Sequence, residues 1–227
     1  MAFAAEDFLF MARALRLAER GLLTTTPNPR VGCVLVKSGA IVGEGWHERA
    51  GEAHAEVMAL KAAGANAAGA TAYVTLEPCA HQGRTPPCTD ALLAARLTRV
   101  AAAMQDPNPQ VAGKGFGQLR QAGVTVETGL LESQVRELNI GYIARMTRGR
   151  PWVRLKIAAS LDGKTALANK VSKWITGPDA RRDGHRRGLD PGLGRPGRPA
   201  RPDRRFRPSL DVNIDTERHH PCGRFAP

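Results

Sequence analysis

The sequence predicts an α/β fold with a mixed sheet, on three observations. From residue 71 to residue 146, apolar runs of strand length alternate with amphipathic stretches of helix length, the pattern of parallel strands joined by helical crossovers. Ahead of them, residues 31–36 and 41–46 are short apolar runs separated by Lys37-Ser38-Gly39-Ala40, which is hairpin chemistry and adds an antiparallel pair. With 42% hydrophobic residues in 227, the chain also has the material for a buried core.

Each element has a local reason. Residues 6–20 form an amphipathic helix, with Phe8, Leu9, Met11, Ala12, Leu15 and Ala18 on one side, acids at its start, Arg20 in its last turn and Gly21 as its stop. The loop Thr24-Thr25-Thr26-Pro27-Asn28-Pro29 leads into the hairpin, and a helix over residues 53–63 follows it. Strands are then expected at 71–76, 99–104 and 124–128, and helices at 89–97, 116–122 and 131–146. After Gly149-Arg150-Pro151 a further strand over 152–158 would open a second unit.

From Gly184 the composition changes. The last 44 residues hold ten Arg, seven Pro, six Gly and no Lys, against seven Leu, Ile, Val, Met, Phe and Trp together. Such a segment has too little apolar surface to offset the entropy of ordering it, so 184–227 is expected to be a disordered tail. Its bias is that of GC-rich codons read out of frame; a basic tail for an anionic partner is the alternative. Gly192-Leu193-Gly194-Arg195-Pro196-Gly197 matches a dinucleotide-binding pattern in letters only, because no strand precedes it and Pro196 and Pro199 forbid the helix.

Charge excludes one class of function. The net charge is +12, but residues 1–144 carry 13 basic and 13 acidic side chains, so the excess lies wholly in residues 145–227. A nucleic-acid partner would need a basic groove, and the zero net charge of residues 1–144 argues against one. No apolar run is long enough to span a bilayer, and Glu6 and Asp7 stand where a signal peptide would be basic or apolar, so a cytoplasmic location is expected. Cys33, Cys79, Cys88 and Cys222 are too few for a disulfide framework; metal binding or burial is the expectation.

The chemistry lies in His54-Ala55-Glu56, Pro78-Cys79 and Cys88. One imidazole and two thiolates leave the fourth corner of a zinc tetrahedron open, the arrangement of a catalytic site. In zinc deaminases the Glu two residues after the His is no ligand but shuttles protons, and Glu56 occupies that position. His54 and Glu56 fall at the start of one helix and Cys88 at the start of another, so two helix N-termini would favour thiolate and carboxylate there. Each residue has a plainer reading alone: His-x-Glu as a surface pair, Cys33 as core.

The chain resembles the riboflavin-biosynthesis pyrimidine deaminase family. The resemblance is carried by Thr26-Pro27-Asn28-Pro29-Arg30-Val31-Gly32-Cys33-Val34, Gly43-Glu44-Gly45-Trp46-His47, Ala50-Gly51-Glu52-Ala53-His54-Ala55-Glu56 and Thr75-Leu76-Glu77-Pro78-Cys79-Ala80-His81-Gln82-Gly83-Arg84-Thr85-Pro86-Pro87-Cys88. Nucleic-acid and nucleoside deaminases place two residues between their cysteines. Here there are eight, which singles out the riboflavin branch, and Asp106-Pro107-Asn108-Pro109-Gln110 strengthens the match.

The resemblance implies a cytidine-deaminase-like three-layer α/β/α domain over 1–146 and the opening fragment of a dihydrofolate-reductase-like domain over 147–183. It implies Zn2+ on His54, Cys79 and Cys88, Glu56 as the catalytic residue, and a phosphorylated pyrimidine as substrate. Asn28 and His47 would touch that substrate; their plainer readings are a turn-capping Asn and a strand-end His. Arg84 and its loop are candidates for its phosphate. In the reductase fragment Ser172 would touch substrate, and Ala158 and Trp174 would touch NADPH if that part functions. A homo-oligomer is implied as well, and an inactive pseudoenzyme is the alternative that the altered C-terminal segment keeps open.

Overall fold

A computed structural model describes residues 3–83, 85–154 and Lys164. Its centre is a five-stranded sheet in the order β2, β1, β3, β4, β5, where β1 is Gly32–Lys37, β2 Ala40–Trp46, β3 Thr71–Val74, β4 Arg99–Ala102 and β5 Thr125–Thr128. β1 runs antiparallel to both β2 and β3, while β3, β4 and β5 are parallel, so the sheet is mixed as the alternation predicts. The hairpin closes through Ser38 and Gly39, both at positive φ, with Lys37 opposite Ala40; this is the primed two-residue turn that the Ser-Gly pair favours.

Helices cover both faces. α1 (Ala5–Glu19) packs on β1 and β3 and touches α5 (Glu132–Leu138). α2 (Ala55–Ala63) packs on β1 and β2 and touches α3 (Cys88–Ala94), which in turn touches α4 (Lys114–Gln121). The α2 contact depends on two glycines on one face of β2. A Cβ on Gly43 would stand 2.3 Å from the Ala59 carbonyl oxygen, and one on Gly45 would stand 2.5 Å from that of Ala55. Small residues therefore let the helix lie on the strand and fix the position of its first turn.

The core follows the sheet. β1 is buried along Gly32 to Val36, and Val74, Val100, Ala101 and Ala102 from the parallel strands are all fully buried. Cys33 is fully buried in β1, which is its plainer reading. At the outer end of the strands Asp7, 6% exposed, accepts hydrogen bonds from Arg99 at 2.7 Å and from the Tyr73 hydroxyl at 2.6 Å.

Two expectations need correction. The helix expected over 131–146 is two helices, α5 and α6 (Ile140–Arg148), broken at Asn139. The break is tertiary in origin: the buried Asn139 amide accepts from the Arg30 N–H at 2.8 Å and donates to the Arg30 carbonyl at 3.0 Å. That pairing turns the chain and sends α6 past residue 146 to Arg148, where Gly149 caps it at positive φ. The strand expected from residue 152 has no regular structure over 152–154, and residues 155–158 lie outside the described residues. So do the dinucleotide-pattern decoy at 192–197 and the whole 184–227 segment.

Candidate functional site

His54 is the N-cap of α2, with extended backbone, so its side chain stands outside the helix while Glu56 lies in the first turn. Cys88 is the first residue of α3, where Pro87 supplies the extended N-cap. Cys79 lies on the loop that leaves β3, at the carboxyl end of a parallel strand where open sheets place their ligand crevices. α3 is tied to that loop through its own first turn: the Cys88 N–H meets Cys79 Sγ at 3.4 Å and the Thr89 N–H meets the Cys79 carbonyl at 3.1 Å.

The elements bring the sequence-predicted residues together. One donor atom from each of His54, Cys79 and Cys88 lies within 4.8 Å of the others. His54 Nδ1 is 3.1 Å from Cys88 Sγ and 3.5 Å from Cys79 Sγ. A tetrahedral zinc with bonds of about 2.3 Å to sulfur and about 2.0 Å to nitrogen needs such edges at roughly 3.6 Å. An imidazole and two thiols, converging at this spacing, fit zinc in both donor softness and geometry.

The electrostatics divide the cluster: Cys79 is held as thiolate, while Cys88 and Glu56 are pushed toward their neutral forms, against what their helix N-termini alone would give. The Cys79 thiol is drawn down to about 4 by hydrogen bonds from Cys88, His54 and the Cys88 N–H, working against burial. Cys88 is pushed the other way, first by that neighbouring thiolate and then by burial. His54 is raised by its hydrogen bond to Cys79. Glu56 is 3% exposed, and burial pushes its carboxyl up to about 7.

His54, Glu56 and Cys79 line a cavity of about 490 Å³, with Cys88 fully buried behind them. Asn28 and His47 are both on its wall: Asn28 Nδ2 is 3.1 Å from His47 Nε2, and His47 Nδ1 is 3.1 Å from the Ala53 carbonyl. The His47 ring packs edge-on against His54 at 5.3 Å, and burial holds it below the usual histidine range. Arg84, Ala158, Ser172 and Trp174 lie outside the described residues.

Among the wall residues that sequence reasoning missed are Asp106, Tyr142 and Arg145. Asp106 follows β4 as Cys79 follows β3, and that shared position at the carboxyl end of a parallel strand was the available signal. The Tyr142 hydroxyl donates to Asp106 Oδ1 at 2.9 Å. Tyr142 and Arg145 are three apart on α6, a spacing that marks one helix face but not what the face meets.

Comparison with known proteins decides the lineage. Residues 5–104 match the cytidine and deoxycytidylate deaminase zinc-binding region, and residues 151–188 match the RibD C-terminal domain. The riboflavin biosynthesis protein RibD of Escherichia coli K12 is 63% identical over 178 residues, 78% of this chain and 48% of that protein. Over about four-fifths of its length the chain is similar to RibD proteins.

The RibD of Haemophilus influenzae is 61% identical over 181 residues, 80% of this chain and 49% of the relative. In the structure of Acinetobacter baumannii RibD, 55% identical, 80% of this chain and 51% of that one superpose with a TM-score of 0.76. The Thermotoga maritima diaminohydroxyphosphoribosylaminopyrimidine deaminase/5-amino-6-(5-phosphoribosylamino)uracil reductase is 44% identical, with a TM-score of 0.75 over 79% of this chain and 52% of that one. The chain thus spans about half the length of the RibD relatives it matches. Its described domain has the cytidine-deaminase-like three-layer fold with a zinc-binding region. No helix among the described residues is long and apolar enough to cross a membrane.

Proposed function

We propose that this chain carries out the deaminase step of riboflavin biosynthesis, the hydrolytic deamination of 2,5-diamino-6-ribosylamino-4(3H)-pyrimidinone 5′-phosphate to 5-amino-6-(5-phosphoribosylamino)uracil. The observation that carries the proposal is the convergence of His54, Cys79 and Cys88, with His54, Cys79 and the buried Glu56 on the wall of one cavity. His54, Cys79 and Cys88 hold the zinc. A zinc ion there supplies Lewis acidity, bringing the pKa of a water down to about 7.

The protein's own groups move the protons. Glu56, with a carboxyl near 7, takes a proton from the attacking water and gives it to the ring nitrogen, then takes the remaining proton from the newly added hydroxyl and gives it to the departing ammonia. Oxygen from water replaces the amine on the ring carbon, and the ring ends as a uracil. Asn28, anchored to His47, holds the pyrimidine edge, and His47 keeps Asn28 and His54 in register. A free phosphorylated pyrimidine, not a nucleic acid, suits a domain of zero net charge.

Residues 147–183 are read as the opening of the reductase region, with NADPH expected at Ala158 and Trp174 and substrate at Ser172 only if that region functions. A cytoplasmic homo-oligomer is the expected state. Ammonia release from the diaminopyrimidine phosphate by the zinc-loaded chain tests the proposal; a zinc-loaded chain that releases none would leave a pseudoenzyme.

A further inference from the structure

Residues 27–31 divide between two tasks. Pro27, Asn28, Pro29 and Val31 line the cavity, while the half-buried Arg30 side chain turns to backbone carbonyls on two other segments. Its Nη1 donates to the Leu138 carbonyl at 2.9 Å, and its Nε and Nη2 donate to the Leu22 carbonyl at 3.3 and 3.0 Å. Leu138 is the last residue of α5, and the final carbonyls of a helix have no partner within it. The Leu22 bonds close the loop that carries Asn28. Among the described residues no carboxylate pairs with Arg30, so this guanidinium spends its bonds on holding backbone.

The same point is held from the other side. The Asn139 side chain pairs with both backbone groups of Arg30, at 2.8 and 3.0 Å. α6 begins at the next residue, and its one buried side chain is Ala144, yet Tyr142, Arg145 and Met146 on it are cavity wall. A helix that buries so little apolar surface depends on its polar ties for its place. Two of those ties lie further along α6: the Tyr142 hydroxyl on Asp106, and Arg145 on the Pro27 carbonyl at 2.8 Å, which is exposed to water. The Arg30 ties are more sheltered and act at the start of the helix, so they set its direction.

We propose that Arg30 is a positioning residue: it fixes the Asn28 loop and α6 relative to each other and so sets the spacing of the two cavity walls between which the substrate binds. The inference rests on the deaminase reading. Its side chain bonds to neither the zinc ligands nor Glu56, which stand on α2, α3 and the loop after β3. Loosening the two walls removes binding that is equal in the ground and transition states, so its mark is a raised KM with kcat kept. Loss of folded protein alone would lower turnover per chain and leave KM where it was.

The test uses the full zinc-loaded chain. Arg30→Met keeps an apolar stem and loses every donor; it is expected to raise KM for the diaminopyrimidine phosphate about fivefold or more, with kcat per bound zinc within about twofold of wild type. Arg30→Lys, a point charge without the fork, is expected to fall between the two. Asn139→Ala removes the other half of the clamp and should move KM in the same direction. Unchanged KM in Arg30→Met, or a fall in kcat at unchanged KM, would overturn the proposal. Should Arg30→Met not fold, a wild-type KM in Arg30→Lys would do so. Hydrogen exchange of the same chains without substrate reads the clamp independently of the reaction. Arg30→Met should speed exchange in residues 22–30 and 140–148 by about tenfold and leave α2 and α3 as in wild type. Unchanged exchange in α6, or equal acceleration everywhere, would also overturn the proposal. Faster α6 exchange in the variant, beside a wild type that releases no ammonia, would support the clamp and reject the deaminase reading separately.

Discussion

The Gly115 N–H donates to Glu77 Oε1 at 2.9 Å, and a Cβ on Gly115 would stand 2.0 Å from the carbonyl oxygen of Pro78. Glu77, 4% exposed, also accepts the N–H groups of Asp106, Gly113 and Phe116. One buried carboxylate thus fastens the segment after β4 to the residue that precedes Pro78 and Cys79. Gly115→Ala forces that segment off its seat and is expected to destabilise the domain by about 1–3 kcal/mol, the usual cost of overpacking. Denaturant unfolding measures it, and wild-type stability would show that the segment yields freely.

A second prediction concerns acid. Arg99 holds the Asp7 carboxyl at about 2, below its ordinary 3.8, helped by Tyr73 and the Ala4 N–H against the opposing effect of burial. A carboxyl lowered on folding adds stability that is complete above its unfolded value and is lost as pH falls through the folded one. Wild type should therefore lose about 2 kcal/mol between pH 4 and pH 2 through this group. Asp7→Asn should lack that part of the slope and be less stable at neutral pH. Parallel stability curves for the two proteins over pH 4 to 2 would dismiss the ion pair as the cause.

Metal content should depend on each thiolate. The wild-type chain is expected to carry about one zinc, and Cys88→Ser to lose most of it, because two donors seldom retain zinc. Elemental analysis after gel filtration decides this, and full occupancy in the variant would remove Cys88 from the ligand set.

The zinc constellation was legible in sequence because metal binding restricts residue type and spacing at once. His54 at a helix cap and Cys88 after Pro87 could be placed without any tertiary knowledge. The Ser-Gly hairpin was local in the same sense, whereas the glycine face of β2 that seats α2 was not. Asn139 was not, since residues 131–146 are amphipathic throughout and the partner that breaks the helix, Arg30, lies 109 residues away. Asp106, Tyr142 and Arg145 stayed hidden for a related reason. A carboxylate in a loop and two polar residues on a helix face become a cleft wall only when α6 is laid beside the loops at Pro27 and Asp106.

Reduction should not accompany deamination. Residues 151–188 match the RibD C-terminal domain, but the segment from residue 184 holds ten Arg, seven Pro and only seven large apolar residues in 44. That composition is too poor in apolar residues to supply the core of a reductase. Supplied with the deaminated product and NADPH, this chain is expected to show no NADPH oxidation above background. Product-dependent oxidation would show that the fragment folds into a working reductase.

Glu56→Gln tests most directly whether Glu56 carries the protons of a zinc-dependent deamination. An amide of the same shape should preserve zinc content and fold yet be unable to accept the water's proton, so ammonia release from the diaminopyrimidine phosphate should fall by a factor on the order of 10²–10⁴. Measured side by side, wild type and variant should show equal zinc and very unequal turnover. Equal turnover at equal zinc would contradict the account.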